Sequence, residues 1–106
     1  MTIELADTDA ARELASKVSQ GDIVVNLRPY GGFEQVGKLP WTLPRSDRQV
    51  TTEAGDIMLY QGNQIAIFHG SNSWSYTPLG KIVEYDVDAL GWAHGGEEAQ
   101  AVLSNN

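Results

Sequence analysis

Two short apolar runs joined by three residues constrain this chain more than any other feature: Gly55-Asp56-Ile57-Met58-Leu59-Tyr60, then Gln61-Gly62-Asn63, then Gln64-Ile65-Ala66-Ile67-Phe68-His69. Runs of this length on either side of a glycine-containing connection make an antiparallel hairpin whose register the turn sets. In the second run Ile65 and Ile67 share one face while Ala66 and Phe68 share the other. Both faces are apolar, as in a central strand of a barrel.

Upstream, Thr2-Ile3-Glu4-Leu5-Ala6 alternates with period two, the mark of a half-buried strand. Asp7, Thr8 and Asp9 then offer N-cap oxygens and first-turn negative charge, and Ala10, Leu14 and Val18 recur every four residues. This predicts a helix of about three turns. Glu13 and Lys17 are spaced to pair on it at i,i+4, and Gly21 is expected to end it in the left-handed conformation. Ile23 to Leu27 reads as a strand, Gly31-Gly32 as a turn or bulge, and Phe33 to Val36 as a further short strand. Pro40 and Pro44 lack ladder donors, so residues 39–44 are expected as an irregular loop or edge, and Arg45 to Gln49 stays polar. Residues 70–78 read as a loop and 81–85 as the next strand. Val87, Leu90 and Trp92 fit a helical turn, and Gly95-Gly96 separates it from a short helix over 97–103. The expected architecture is mainly β with one or two helices, in one domain spanning residues 1–106. Its segment 95–106 is expected to fray or to pack on a partner.

The chain carries 7 Lys+Arg against 14 Asp+Glu in 106 residues, a net charge of −7. Its basic residues are scattered singly, which argues against a phosphate-tracking surface, so nucleic acid is not an expected partner. Neither an apolar run of bilayer length nor a basic, apolar leader is visible, and the reading is a cytoplasmic protein without membrane attachment. With no cysteine there is no disulfide, thiolate nucleophile or Cys-ligated zinc. His69 and His94 lack the spacing of a metal pair, and no metal or cofactor is expected.

Candidate sites each have an ordinary structural explanation. His69 ends an apolar strand, where bonding to a backbone carbonyl is commoner than a pocket role. Ser71, Ser73 and Ser75 lie close to it without a nucleophile elbow, and hydroxyls in such a loop usually cap turns. Asp56 follows Gly55 where a carboxylate commonly accepts backbone N–H bonds of the turn. Glu84, Asp86 and Asp88 fit capping and a solvated face, without the glycine and terminal Glu of a calcium loop. Trp41, Trp74 and Tyr76 fall in expected loops, where burial is not the default explanation. Loops converging at one barrel mouth would make them apolar walls, with Arg45, Arg48 and His69 orienting a ligand. Otherwise Trp41 and Trp74 are hydrophobic lids on the barrel ends.

Taken in order, Ala10-Ala11-Arg12-Glu13-Leu14, Gly31-Gly32-Phe33-Glu34, Leu39-Pro40, Gly55-Asp56-Ile57, Tyr60, Ile67-Phe68 and Pro78-Leu79-Gly80-Lys81-Ile82 carry a resemblance. Over residues 3–90 the chain resembles the small bacterial cyclophilin-like domain proteins. The resemblance implies a closed or nearly closed antiparallel β-barrel with one helix plugging an end. Cyclophilins proper are prolyl isomerases that use an arginine beside a Phe-His strand and a later Phe-Met-x-Gln-Gly-Gly-Asp stretch. Here Phe68-His69 is followed by Gly70, and Met58-Leu59-Tyr60-Gln61-Gly62-Asn63 precedes Phe68, so no isomerase residue carries over. Relatives usually have a further strand before Thr2 and a final one after the Leu90 region. The expectation is therefore a barrel that is incomplete or closed through oligomerisation, as a homodimer or higher homo-oligomer.

Three functions follow from this reading. The leading one is a non-catalytic binding module for a small molecule or short peptide at the barrel mouth, through Trp41, Arg45, Arg48, Tyr60, His69, Trp74 and Tyr76. The second is an oligomeric protein-interaction subunit. The third, by fold analogy alone, is a prolyl isomerase-like enzyme in which Arg45 or Arg48 would act as the donor.

Overall fold

A computed structural model describes residues 2–32, 34–84 and 99–104. Along the chain run β1 (Thr2–Leu5), α1 (Asp9–Ser19), β2 (Ile23–Tyr30), β3 (Glu34–Lys38), β4 (Arg48–Thr51), β5 (Asp56–Tyr60), β6 (Gln64–Phe68), β7 (Ser73–Glu84) and β8 (Ala99–Leu103). The strands form an open, curled antiparallel half-barrel in the order β1-β7-β5-β6-β3-β2-β8, with β4 paired to β7. This is the incomplete barrel expected from the sequence.

The hairpin at its centre folds as its composition dictates. Tyr60 pairs with Gln64 across a three-residue connection, in which Gln61 and Gly62 take φ of 54° and 80°. The Gly62 and Asn63 carbonyls then accept from the Leu43 and Leu39 N–H groups at 2.7 and 2.8 Å. The proline-bearing loop 39–44 is thus hung on the hairpin. Asp56 Oδ2 accepts from the Glu53 N–H at 2.8 Å, the structural role its position suggested.

Helix α1 is capped by Thr8, whose Oγ1 accepts from the Ala11 N–H at 3.1 Å. Ala10, Ala11 and Leu14 are its buried positions, and Lys17 stands 3.7 Å from Glu13 on its wetter side. Gly21 does not close the helix in a left-handed conformation. Gln20, with φ −88°, caps it, and the Gln20 and Gly21 N–H groups donate three residues back to Lys17 and Val18. A tightened last turn satisfies those carbonyls without a positive φ.

Two further expectations are corrected. The loop expected over 70–78 holds only for 70–72, because Ser73 to Glu84 is one continuous strand that pairs with β4, β5 and β1. Pro78 survives inside it at an irregularity: Ile57 faces Gly80 and Met58 faces Pro78, leaving Leu79 as the extra residue of a bulge. The Leu79 carbonyl accepts from the Ala6 N–H at 2.9 Å, and the Pro78 carbonyl from Thr8 Oγ1 at 2.7 Å. The bulge therefore anchors the entry to α1. Arg48 and Gln49, polar as read, begin strand β4, which is held by its pairing with β7. Second, Ala99 to Leu103 is no helix but β8, paired from Ile23↔Leu103 to Leu27↔Ala99. Ala101 and Leu103 pack on the core while Val102 is exposed, a period of two. The helical turn expected over 87–92, together with Asp86, Asp88 and His94, lies outside the described residues.

One face of the sheet carries the larger core. Val25, Leu27, Ile57, Leu59, Ile65, Ile67, Leu79 and Ile82 pack there with Ala10 and Leu14 of α1 and Leu39 and Leu43 of the loop. Gly37 lets β2 and β3 close on this side, since a Cβ there would lie 2.6 Å from the Asn26 carbonyl oxygen. Among the described residues no helix is long and apolar enough to cross a membrane.

Candidate functional site: an aromatic cleft on the open face

Alternation along the strands sends a second set of side chains to the opposite face. The register places Tyr30, Glu34 and Phe68 in one row across β2, β3 and β6. Arg28, Val36, Ala66 and Met58 form the next row, and Gln64 and Tyr60 pair in a third. Across β7, Tyr76 and Trp74 pair with Arg48 and Val50 of β4. Met58, Ala66, Phe68 and Tyr76 make a small buried cluster there.

Above this cluster lies a cleft of about 410 Å³, lined by Arg28, Tyr30, Glu34, Val36, Tyr60, Gln64, Ala66, Asn72, Trp74 and Tyr76. Its aromatic rings are ordered against one another. Tyr76 meets Phe68 edge-on at 5.4 Å between centroids and Tyr60 at 6.0 Å. The Tyr76 hydroxyl accepts from Asn72 Nδ2 at 2.9 Å, and Asn72 is itself fixed because its N–H donates to the buried Thr52 Oγ1 at 2.9 Å. Burial raises the Tyr76 phenol above its usual range against the Asn72 hydrogen bond, and the Glu34 charge adds to the rise. Tyr30 and Trp74, 62% and 56% exposed, form the rim.

Glu34 is the unusual member. It is only 5% exposed, its Oε2 is enclosed, and among the described residues that oxygen has no hydrogen-bond partner. Burial pushes its carboxyl up to about 7. A carboxylate can only accept hydrogen bonds, so the site offers an acceptor and a titrating charge inside an aromatic enclosure.

Of the residues singled out from the sequence, the fold brings Tyr60, Trp74 and Tyr76 together in this cleft. Trp74 and Tyr76 arrive there from a strand, not from a loop. Trp41 lies elsewhere, packed against the larger core with the Lys17 ammonium 5.0 Å from its ring centroid, as a lid would be. Arg45 donates from Nε and Nη2 to Asp47 Oδ2. Arg48 is exposed on β4, and His69 follows β6; neither lines the cleft. Ser73 Oγ bonds Thr51 Oγ1 at 2.7 Å across β4 and β7.

Sequence reasoning missed Arg28, Tyr30, Glu34, Val36, Gln64 and Asn72. A signal for the first four was present. Arg28-Pro29-Tyr30 and Glu34-Gln35-Val36 alternate on either side of Gly31-Gly32, so a hairpin through that turn sends all four side chains to one face.

A family model described as the cyclophilin-like family matches residues 1–103. No curated protein and no solved structure matches the chain.

Proposed function

The chain belongs to the cyclophilin-like family, and from that premise we propose that it is a binding module whose ligand, a small molecule or short peptide, occupies the cleft on the open face. The observation that carries this reading is the enclosure of one buried carboxyl by Tyr30, Tyr60, Trp74 and Tyr76 in a space of about 410 Å³. That volume lies within the range of small-molecule sites, and the lining sets polar groups of Arg28, Glu34, Gln64 and Asn72 among aromatic rings. Ligand entry would cover the exposed ring of Trp74.

The test is a thermal-shift panel of metabolites and proline-containing peptides on the whole chain, repeated on Trp74→Ala. Trp74 is mostly exposed, so the variant should melt near the wild type. A compound at a hundredfold its Kd stabilises the fold by about 2.7 kcal/mol, and that shift should vanish in Trp74→Ala. An undiminished shift would remove the cleft from consideration.

Self-association is a second reading, favoured by the two ends of the sheet. Strands β1 and β8 each have one neighbour among the described residues, and Ile3 and Leu5 of β1 and Val102 of β8 are exposed. Such edges are templates for pairing with a second chain. Light scattering at micromolar concentration should then give a mass above the monomer's 11.6 kDa, and a monomeric mass ends this reading.

A further inference from the structure

We infer that the cleft selects an organic cation, a primary amine or guanidinium on an apolar body, with Glu34 as counter-charge and the tyrosine and tryptophan rings as walls. The inference deepens the binding reading above and rests on it.

Three features converge. Glu34 is buried and lines the cleft, and its Oε2 lacks a partner among the described residues. A buried acceptor left without a hydrogen bond is costly, and a donor carried by the ligand relieves that cost. A neutral apolar guest would cover the carboxyl without satisfying it, and an anion would add repulsion. Aromatic side chains at four positions surround the same space, and ring faces attract cations, most strongly where water is excluded.

Arg28 lines the same cleft and raises the opposite possibility, an anionic ligand. It is exposed and forms no ion pair among the described residues. Its charge is therefore solvated and screened, whereas that of Glu34 is not. The enclosed group governs which charge the interior accepts, and burial that raises its carboxyl to about 7 leaves it free to ionise when a cation arrives.

Among the described residues, the titratable and charged groups that line the cleft with Glu34 are Arg28 and Tyr30 from β2, Tyr60 from β5 and Tyr76 from β7; β6 contributes Gln64 and Ala66, and Phe68 stands opposite Glu34. His69, at the end of β6, does not line the cleft.

Three matched probes decide the matter: 2-phenylethylamine, 2-phenylethanol and 3-phenylpropanoate, titrated into ¹⁵N-labelled whole protein and followed by amide chemical shifts. At about pH 8 the amine should bind roughly tenfold tighter than the alcohol, with shifts at the cleft residues. That preference should shrink at about pH 6, where Glu34 is mostly protonated, and should be absent at both pH values in Glu34→Gln. Dispersed amide spectra establish that the variant is folded, and the wild-type pH comparison stands without it. Equal binding of amine and alcohol, or tighter binding of the carboxylate, overturns the cation inference and leaves the cleft a binding site. A pH-dependent preference that survives in Glu34→Gln also overturns it. Failure of all three probes to shift the cleft amides overturns the inference and counts against the cleft itself.

Discussion

Glu34 stands directly opposite Phe68 in the β3–β6 register, so a carboxyl and a fully buried phenyl ring are neighbours on the open face of the sheet. That placement accounts for the carboxyl's rise from an ordinary 4.5 to about 7, since its cause is burial. A raised carboxyl means that the fold prefers the protonated form. The stabilisation is fully present below the unfolded value near 4.5 and is lost as pH rises through about 7.

Glu34→Gln keeps the shape and removes the charge. Its stability should match the wild type near pH 4 and exceed it at about pH 8 by on the order of 3 kcal/mol. Urea unfolding of both proteins at the two pH values measures the difference. A wild type that loses no stability over this interval would mean that Glu34 reaches water or a partner when ionised.

Gly37, at the end of the β2–β3 pairing, and Gly21, between α1 and β2, should respond in opposite directions to alanine. At Gly37 a Cβ would fall 2.6 Å from the Asn26 carbonyl oxygen and 2.9 Å from Leu27 Cδ2, with backbone as the obstacle. Gly37→Ala should cost roughly 1–3 kcal/mol. Gly21, just after α1, has nothing within 4 Å of its Cβ position and no positive φ. Gly21→Ala should therefore stabilise by about 0.4–1 kcal/mol through the unfolded chain. Thermal melts of the pair give both signs, and a neutral Gly37→Ala would show that β2 and β3 can separate.

Such local rules explain which parts of the fold were legible in the sequence. The hairpin of β5 and β6 and the helix were readable because each is specified within about fifteen residues: a turn between apolar runs, a cap before a four-residue repeat. Strand β7 was not, since Pro78 reads as a breaker unless Met58 and Ile57 are known to lie opposite a bulge. Strand β8 was misread because Glu97, Glu98 and three alanines or leucines in its vicinity have helical propensity, while its pairing with β2 is long-range. The site suffered most. Trp74 and Tyr76 were found by their chemistry, but Glu34 looks like any surface glutamate until β6 and β7 are placed beside it. Burial of a polar residue is a property of the assembled sheet.

Thr77 is fully buried and joins two segments. Its Oγ1 donates to Asp47 Oδ1 at 2.6 Å and accepts the Ser46 N–H at 3.0 Å, pinning the approach to β4 against β7. Thr77→Val fills the same space without either bond and should destabilise by about 1–3 kcal/mol at neutral pH. The Asp47 carboxyl makes the loss pH-dependent. Burial alone would raise it, but hydrogen bonds from Thr77 and Arg45 outweigh burial and hold it below its usual range. A depressed carboxyl contributes stability above its unfolded value and loses it as pH falls through the folded one. In Thr77→Val the carboxyl should titrate higher, which the ¹³C shift of its side chain reports. The stability gap between variant and wild type should narrow in acid without closing, because the Ser46 N–H stays unpaired at every pH. A gap that is constant with pH would show that Arg45 alone sets the charge of Asp47.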